Sequence, residues 1–320
     1  YTQLVGGMSF IYLVITAFYP ESKLQAMRGF ISGKTLHMKE LFLTITVIFG
    51  IYIVIVASLL YAFGERDIID NFSLAMSTLS TGGFTPTSTI LEGLLWQEYI
   101  VLMGAMILGA LPFTFHYAFV RKKFLSPKLG KEVLTYFGIL GGATILFAIV
   151  SGLDPMQSAF YSVSASTTAG LQMNSLAGLS GGAHTILIIL MFIGGCGFST
   201  AGGLKIFRLF HLTDIRAFLS KIRRSELPNQ NKKELISTLI ILGLFPIISA
   251  ITGAHLAEIE NVPYQDAFFE AAGIITTGGL SAGVIDSQTD PATMIVLGFL
   301  MIFGRLEIIA IIYIFVPKLS

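Results

Sequence analysis

The sequence predicts an all-α polytopic membrane protein, and three observations predict it. Hydrophobic residues make up 54% of the 320 positions and charged ones only 12%, against roughly 25% charged in a soluble domain; mean hydropathy is +0.78. Long apolar stretches recur through the chain, each reaching the about 20 residues that a spanning helix needs. Between them one short motif occurs three times in the same order. This composition excludes an ordinary cytosolic enzyme, a nucleic-acid binder with a basic face and a disordered chain. The single cysteine, Cys196, excludes an internal disulfide and a CxxC metal site.

The apolar stretches are expected near residues 1–19, 41–63, 94–120, 132–151, 183–212 (interrupted), 235–256 and 292–316, about seven spans. The chain opens on Tyr1 in apolar sequence without a basic leader. It therefore reads as a fragment that lacks its natural N-terminus.

Charge sets the expected orientation. The connections 20–40, 121–131 and 205–233 carry 17 of the 20 Lys and Arg residues, all on one face if the spans alternate. That face is expected to be cytoplasmic by the positive-inside rule. The opposite face has Arg66 as its only basic residue beside twelve acids, among them Asp67, Asp70, Asp154, Glu258, Asp266 and Glu270. Such a surface attracts cations.

The acidic face holds the repeated motif. Residues 67–80, 154–167 and 263–276 each open on Asp or Pro, suited to a helix N-terminus. Each then runs through a short apolar segment into a tetrad: Thr81-Gly82-Gly83-Phe84, Thr168-Ala169-Gly170-Leu171 and Thr277-Gly278-Gly279-Leu280. The segments are too short to cross a bilayer and fit re-entrant helices. Non-helical backbone at that depth requires a protein or water-lined environment. Gly83, Gly170 and Gly279 permit a positive φ or an extended turn that aims successive carbonyls to one side. A ring of such carbonyls can replace the hydration shell of a monovalent cation. The candidate ion-binding residues are therefore Ser80, Thr81, Gly82 and Gly83; Thr167, Thr168, Ala169 and Gly170; and Thr276, Thr277, Gly278 and Gly279.

These three units, the run Gly194-Gly195-Cys196-Gly197-Phe198-Ser199-Thr200-Ala201-Gly202-Gly203-Leu204-Lys205 and the late Phe303-Gly304-Arg305-Leu306-Glu307 resemble the TrkH/KtrB/HKT superfamily of K⁺ and Na⁺ transporters, most closely the bacterial TrkH type. The resemblance covers essentially the whole chain. It implies a pseudo-fourfold arrangement of outer helix, re-entrant pore helix, filter and inner helix around one pore. Residues 1–40 then read as the inner helix of an incomplete first repeat plus a cytoplasmic loop. Residues 41–131 form the second repeat, 132–233 the third with a gate loop and basic segment, and 234–320 the fourth. It further implies K⁺ ions in the filter and no other cofactor, a homodimer in the cell membrane and a cytosolic nucleotide-binding regulator of the TrkA/KtrA type. A Ser in the first filter strand marks Na⁺-preferring members, and that strand is not among these residues.

Two features below the tetrads follow partly from physics. Residues 194–203 include five glycines within the fifth stretch. A helix through them would lose about 1 kcal/mol per Gly relative to Ala. The break is either a gate, as the resemblance implies, or a kink for tight helix packing. Arg305 lies near the centre of the last stretch, where an unpaired charge costs at least ~2.5 kcal/mol, so it should face the bundle interior. The resemblance places it in the pore beside the gate as an electrostatic barrier. Lys205 reads equally as a snorkelling residue or a gate contact, and Glu307 admits either a pore or a structural role.

His37, His116 and His211 read as interfacial rather than metal-binding, and Trp96, Tyr99, Tyr117 and Tyr161 as interfacial anchors. No nucleophile–base pair, HExxH or phosphate loop is present, so no enzyme activity is expected. The reading is a membrane subunit conducting K⁺ through a channel-like filter with an intramembrane gate. The alternatives are a Na⁺-preferring or K⁺/Na⁺ member of the same superfamily, or an alternating-access carrier for a small solute.

Overall fold

A computed structural model describes residues 38–87, 91–120, 127–213, 229–286 and 288–305. The stretch expected near 1–19, most of the basic connections and Glu307 lie outside these residues. Every regular element described is helical, as the composition predicts.

Three long helices carry the apolar signal: α1 (Met38–Phe63), α5 (Pro127–Ser151) and α9 (Asn229–Ile259). Each is long and apolar enough to cross a membrane. They bury only part of that apolarity against the protein. In α5 only 17% of the most hydrophobic window is buried, and Leu134, Ile145 and Ile149 point outward. An apolar surface of this extent on a helix is stable against lipid rather than water.

Each long helix turns into a short one: α2 (Ile68–Leu79), α6 (Pro155–Thr167) and α10 (Tyr264–Ile275). Asp67 and Asp154 cap the first two, accepting from Ile68 N at 2.8 Å and Met156 N at 2.9 Å. Pro155 occupies the first turn of α6, where its missing N–H is harmless. With 12, 13 and 12 residues at about 1.5 Å rise each, none spans a ~30 Å hydrocarbon core. Unlike the long helices they are wrapped by protein: in α6, Ser158 and all eight residues from Phe160 to Thr167 are buried.

An apolar helix follows each tetrad: α3 (Trp96–Ala110), α7 (Gly181–Ile193) and α11 (Pro291–Arg305). The same order of long, short, tetrad and inner helix thus occurs three times. Units adjoin through α3 against α6 and α7 against α10. One core runs through the first two units from Phe49 and Leu60 through Leu74 and Leu102 to Phe160 and Leu187.

The stretch expected as one span at 94–120 is instead two helices. α3 ends at Ala110, α4 (Phe113–Val120) begins at once, and the two are bent by 101°. Leu111 is extended, with φ −77° and ψ 151°, as the residue before a proline prefers. Pro112 removes one helical N–H and its ring clashes with the preceding turn. The fifth stretch is interrupted as expected. It runs as α7, the Gly-rich loop 194–205 and α8 (Ile206–Thr213).

His116 and Tyr161 depart from their expected interfacial place. His116 is fully buried between α1 and α3, with Nδ1 3.2 Å from the Tyr52 hydroxyl and Nε2 2.9 Å from the Leu108 carbonyl. Tyr161 is buried in α6, and Tyr117 is buried as well. Trp96 is exposed at the start of α3. Arg66, on the acidic face, pairs with the buried Glu98. Burial pulls its guanidinium below the ordinary value, and nearby Asp70 opposes that shift.

Candidate functional site

The short helices all end in the same backbone figure. Thr81, Thr168 and Thr277 have φ of 52°, 52° and 54°, and Gly83, Gly170 and Gly279 have φ of 73°, 72° and 69°. Left-handed residues therefore stand at the first and third places of every tetrad. Glycine takes this conformation freely. A β-branched Thr takes it only when its surroundings hold it there. The hold comes from the helix end: Gly82 N donates to Ser77 O at 2.8 Å, Ala169 N to Ser164 O at 3.0 Å and Gly278 N to Gly273 O at 2.7 Å.

The tetrads also meet one another. A Cβ on Gly83 would lie 2.6 Å from the Ala169 carbonyl oxygen, and one on Gly170 would lie 2.8 Å from the Gly279 Cα. Adjacent strands thus touch backbone to backbone at their third residues. No side chain fits there, independently of the φ requirement.

The Gly-rich loop lies directly against the first residues of the tetrads. The Thr81 hydroxyl sits 2.8 Å from the Thr200 carbonyl. Gly202 N donates to the Thr168 hydroxyl at 2.5 Å. A Cβ on Gly202 would collide with the Thr276 carbonyl and the Thr277 hydroxyl. All three tetrad threonines are therefore in contact with one loop. Thr167 and Thr276 are buried and turn their hydroxyls back to their own helices, to Val163 O at 2.8 Å and Ala272 O at 2.6 Å. Ser80 does the same, to Ser77 O at 3.3 Å.

Arg305 reaches this junction from α11. Its Nη2 donates to the Thr200 carbonyl and its Nη1 to the Thr277 hydroxyl at 3.4 Å. Among the described residues its hydrogen-bond partners are neutral oxygens rather than a carboxylate. Gly304 allows this position, because a side chain there would run into the Ile275 carbonyl.

Inside the loop, Gly194, Phe198, Gly203 and Lys205 are left-handed. Leu204 N returns to Phe192 O at 2.8 Å and Lys205 N to Ile193 O at 3.0 Å, closing the loop on the end of α7. Gly195 is covered by Ala110 and Ala201. Ser199 donates to the Cys196 carbonyl at 2.7 Å, and Cys196 is fully buried. Lys205 is buried and donates to the Ala201 carbonyl, which makes it a loop contact rather than a snorkelling residue.

Sequence reasoning missed two neighbours of this loop. Glu132, buried on α5, accepts from Gly197 N at 2.6 Å. A carboxylate at the first residue of an expected span was the available signal. The broken end of α3 also meets the loop, and Pro112 was the signal there.

Comparison with known proteins comes to the same fold. The TrkH family, described as cation transport protein, matches residues 134–320. An uncharacterized cation transporter of Methanocaldococcus jannaschii is 27% identical over 289 residues, covering 85% of this chain and 58% of its own length. The Trk system potassium uptake protein TrkI of Halomonas elongata is 26% identical over 288 residues, covering 82% of this chain and 58% of its own length. The chain thus spans somewhat more than half the length of these relatives. The crystal structure of the potassium transporter TrkH from Vibrio parahaemolyticus superposes with a TM-score of 0.76 over 99% of this chain and 71% of that one, at 21% identity.

Proposed function

As a member of the TrkH family of cation transport proteins, the chain is an integral membrane protein, and we propose that it is the membrane subunit of a potassium uptake system. The observation that carries this reading is the matched backbone of the three tetrads, whose φ values agree within a few degrees at both left-handed positions. Three separate segments in one figure supply carbonyl oxygens at equivalent levels, the arrangement that substitutes for the hydration shell of a monovalent cation. The loop 194–205 with Arg305 is the gate. It blocks the path below the tetrads sterically and, through the guanidinium, electrostatically. The names of the relatives support K⁺ as the cargo.

In this reading the basic connections face the cytoplasm and the tetrads open to the outside. The basic face docks a cytosolic nucleotide-binding regulator, and two copies of the membrane subunit associate. Radiolabelled Rb⁺ and Na⁺ uptake by the full-length protein in proteoliposomes tests the cargo, with Rb⁺ uptake exceeding Na⁺ uptake. Equal uptake of both ions, or none of either, refutes it. Co-purification with the regulator and the mass of the detergent-solubilised assembly test the partners.

A further inference from the structure

A continuous helix through 108–116 would pair Leu108 O, Gly109 O and Ala110 O with the N–H groups four residues on. The break at Leu111–Pro112 undoes all three pairings. Pro112 has no N–H, and the extended Leu111 turns the chain away. Buried backbone groups must find partners elsewhere, and Gly109 O, Ala110 O and Phe113 N find them in the Gly-rich loop. Gly109 O accepts from Thr200 N at 3.1 Å and from the Thr200 hydroxyl at 2.8 Å. Ala110 O accepts from Cys196 N at 3.0 Å, and the freed Phe113 N donates to Phe198 O at 2.8 Å. The fourth group, Leu108 O, is taken by His116.

The approach is close because the residues are small. A Cβ on Gly109 would lie 2.5 Å from the Leu79 carbonyl and 3.0 Å from the Thr200 hydroxyl. A Cβ on Gly195 would lie 3.1 Å from the Ala110 carbonyl. The same hydroxyl of Thr200 also reaches Leu79 O at 3.2 Å, at the end of the first short helix.

We propose that the broken end of α3 is a latch that holds the gate loop shut, with Pro112 and Gly109 as positioning residues. The proposal rests on the reading of residues 194–205 as the gate. It adds that the closed position is set by a neighbouring unit's inner helix and not only by Arg305. Opening the loop strips Gly109 O, Ala110 O and Phe113 N of their partners at once. Water must then reach them, since unpaired peptide groups are not tolerated at membrane depth. Release of the latch and hydration of the passage are therefore one event.

The test uses the full-length protein in proteoliposomes without a regulatory partner. Pro112→Ala restores the missing N–H and lets α3 continue, and Thr200→Val removes the hydroxyl while keeping the side chain's shape. A protein with the loop shortened within 196–201 serves as reference. Two quantities are read: Rb⁺ influx, and modification of Cys196 by a polar thiol reagent, located by mass spectrometry. Each substitution should raise influx by roughly tenfold, the effect of about one net hydrogen bond on the closed–open ratio. Each should also make the buried Cys196 reactive while leaving the preference for Rb⁺ over Na⁺ unchanged. The latch is overturned if the shortened loop raises influx while both substitutions leave influx and Cys196 labelling at the parent level. If the shortened loop itself leaves influx unchanged, the gate reading fails and the latch fails with it. Should Pro112→Ala not fold, Thr200→Val decides alone.

Discussion

The tetrads are held at their inner ends by one shared loop and at their outer ends by separate anchors. At the inner ends, Thr81, Thr168 and Thr277 all contact the Gly-rich loop or Arg305. At the outer end of the third tetrad, the Glu270 carboxylate accepts from the Ser281 hydroxyl and Ala282 N, both at 2.9 Å. At the outer end of the second, the Tyr161 hydroxyl accepts from Asn174 N at 3.0 Å. Glu270 and Tyr161 occupy the same place, seven residues before the tetrad's threonine; the first unit has Leu74 there. Phe84, which closes the first tetrad, is 66% exposed. One movement of the loop therefore changes all three inner ends together, whereas the outer ends have separate anchors, the third being joined to the second unit as well by Ser281 N donating to the Gln172 side-chain carbonyl at 3.0 Å. In the proposed function, the inner contacts suit control of whether ions pass, and the outer contacts suit control of which ions pass.

The strongest way to break this division is to disturb the tetrads between the two ends. Gly170→Ser places a Cβ 2.8 Å from the Gly279 Cα and 3.0 Å from the Gly278 carbonyl, at a residue with φ of 72°. Backbone on both sides cannot yield as a flexible side chain would, and a left-handed non-Gly residue itself costs about 1–2 kcal/mol. The preference for Rb⁺ over Na⁺ should collapse, measured as the ratio of initial uptake rates. A retained ratio in a well-folded variant would show that residues 167–171 do not form the filter.

Arg305→Ala comes next and acts on the inner end alone. Removing the guanidinium frees the Thr200 carbonyl and the Thr277 hydroxyl and deletes a positive charge from the proposed ion path. Rb⁺ influx without a regulator should rise severalfold with the Rb⁺/Na⁺ ratio intact. Combining it with a loop shortened within 196–201 should add little, because both remove one barrier. Additive effects would mean that Arg305 and the loop act at separate points.

Much of this arrangement is legible in the sequence. Gly83, Gly170 and Gly279 declare a special backbone because they recur at one place in a repeated motif, and the structure resolves the choice between an extended turn and a positive φ in favour of the latter. Arg305 declares an inward position because a charge amid apolar residues must find oxygen partners. The partners are not legible, since Thr200 lies 105 residues away and no local pattern links them. The left-handed threonines are hidden for another reason: their residue type argues against the conformation, and only the helix-end hydrogen bonds impose it. The break in α3 escapes a reading based on average apolarity, because a single proline barely lowers it. Tyr161 and His116 read as interfacial by residue type, yet each is buried with its polar atoms satisfied.

At the outer end, Glu270→Ala should have a smaller effect than either change above. It leaves Ala282 N without its acceptor in a buried position, and a buried donor without a partner costs about 1–3 kcal/mol. The third tetrad loses this anchor but keeps the bond from Ser281 N to Gln172, and its inner end stays tied. The Rb⁺/Na⁺ ratio should fall partway, partner-free influx should not rise, and the thermal midpoint should drop. A rise in influx at an unchanged ratio would reverse the assignment of the two ends.

Tyr161→Phe sharpens the comparison by making the mildest version of the same cut. The ring stays in place against Phe160, whose centroid is 6.3 Å away, so packing is preserved and only the hydroxyl is lost. The freed donor, Asn174 N, belongs to an exposed residue, and water can take over the bond. The net loss is then within about 1 kcal/mol, less than for Glu270→Ala, where the freed N–H is buried. The thermal midpoint should fall by a degree or two at most on this scale, and the Rb⁺/Na⁺ ratio should stay within about twofold of the parent. If Tyr161→Phe instead lowered the ratio as far as Glu270→Ala, access to water would not explain the difference between the two anchors. The second tetrad would then depend on the hydroxyl itself, through a contact made only when an ion occupies the strand.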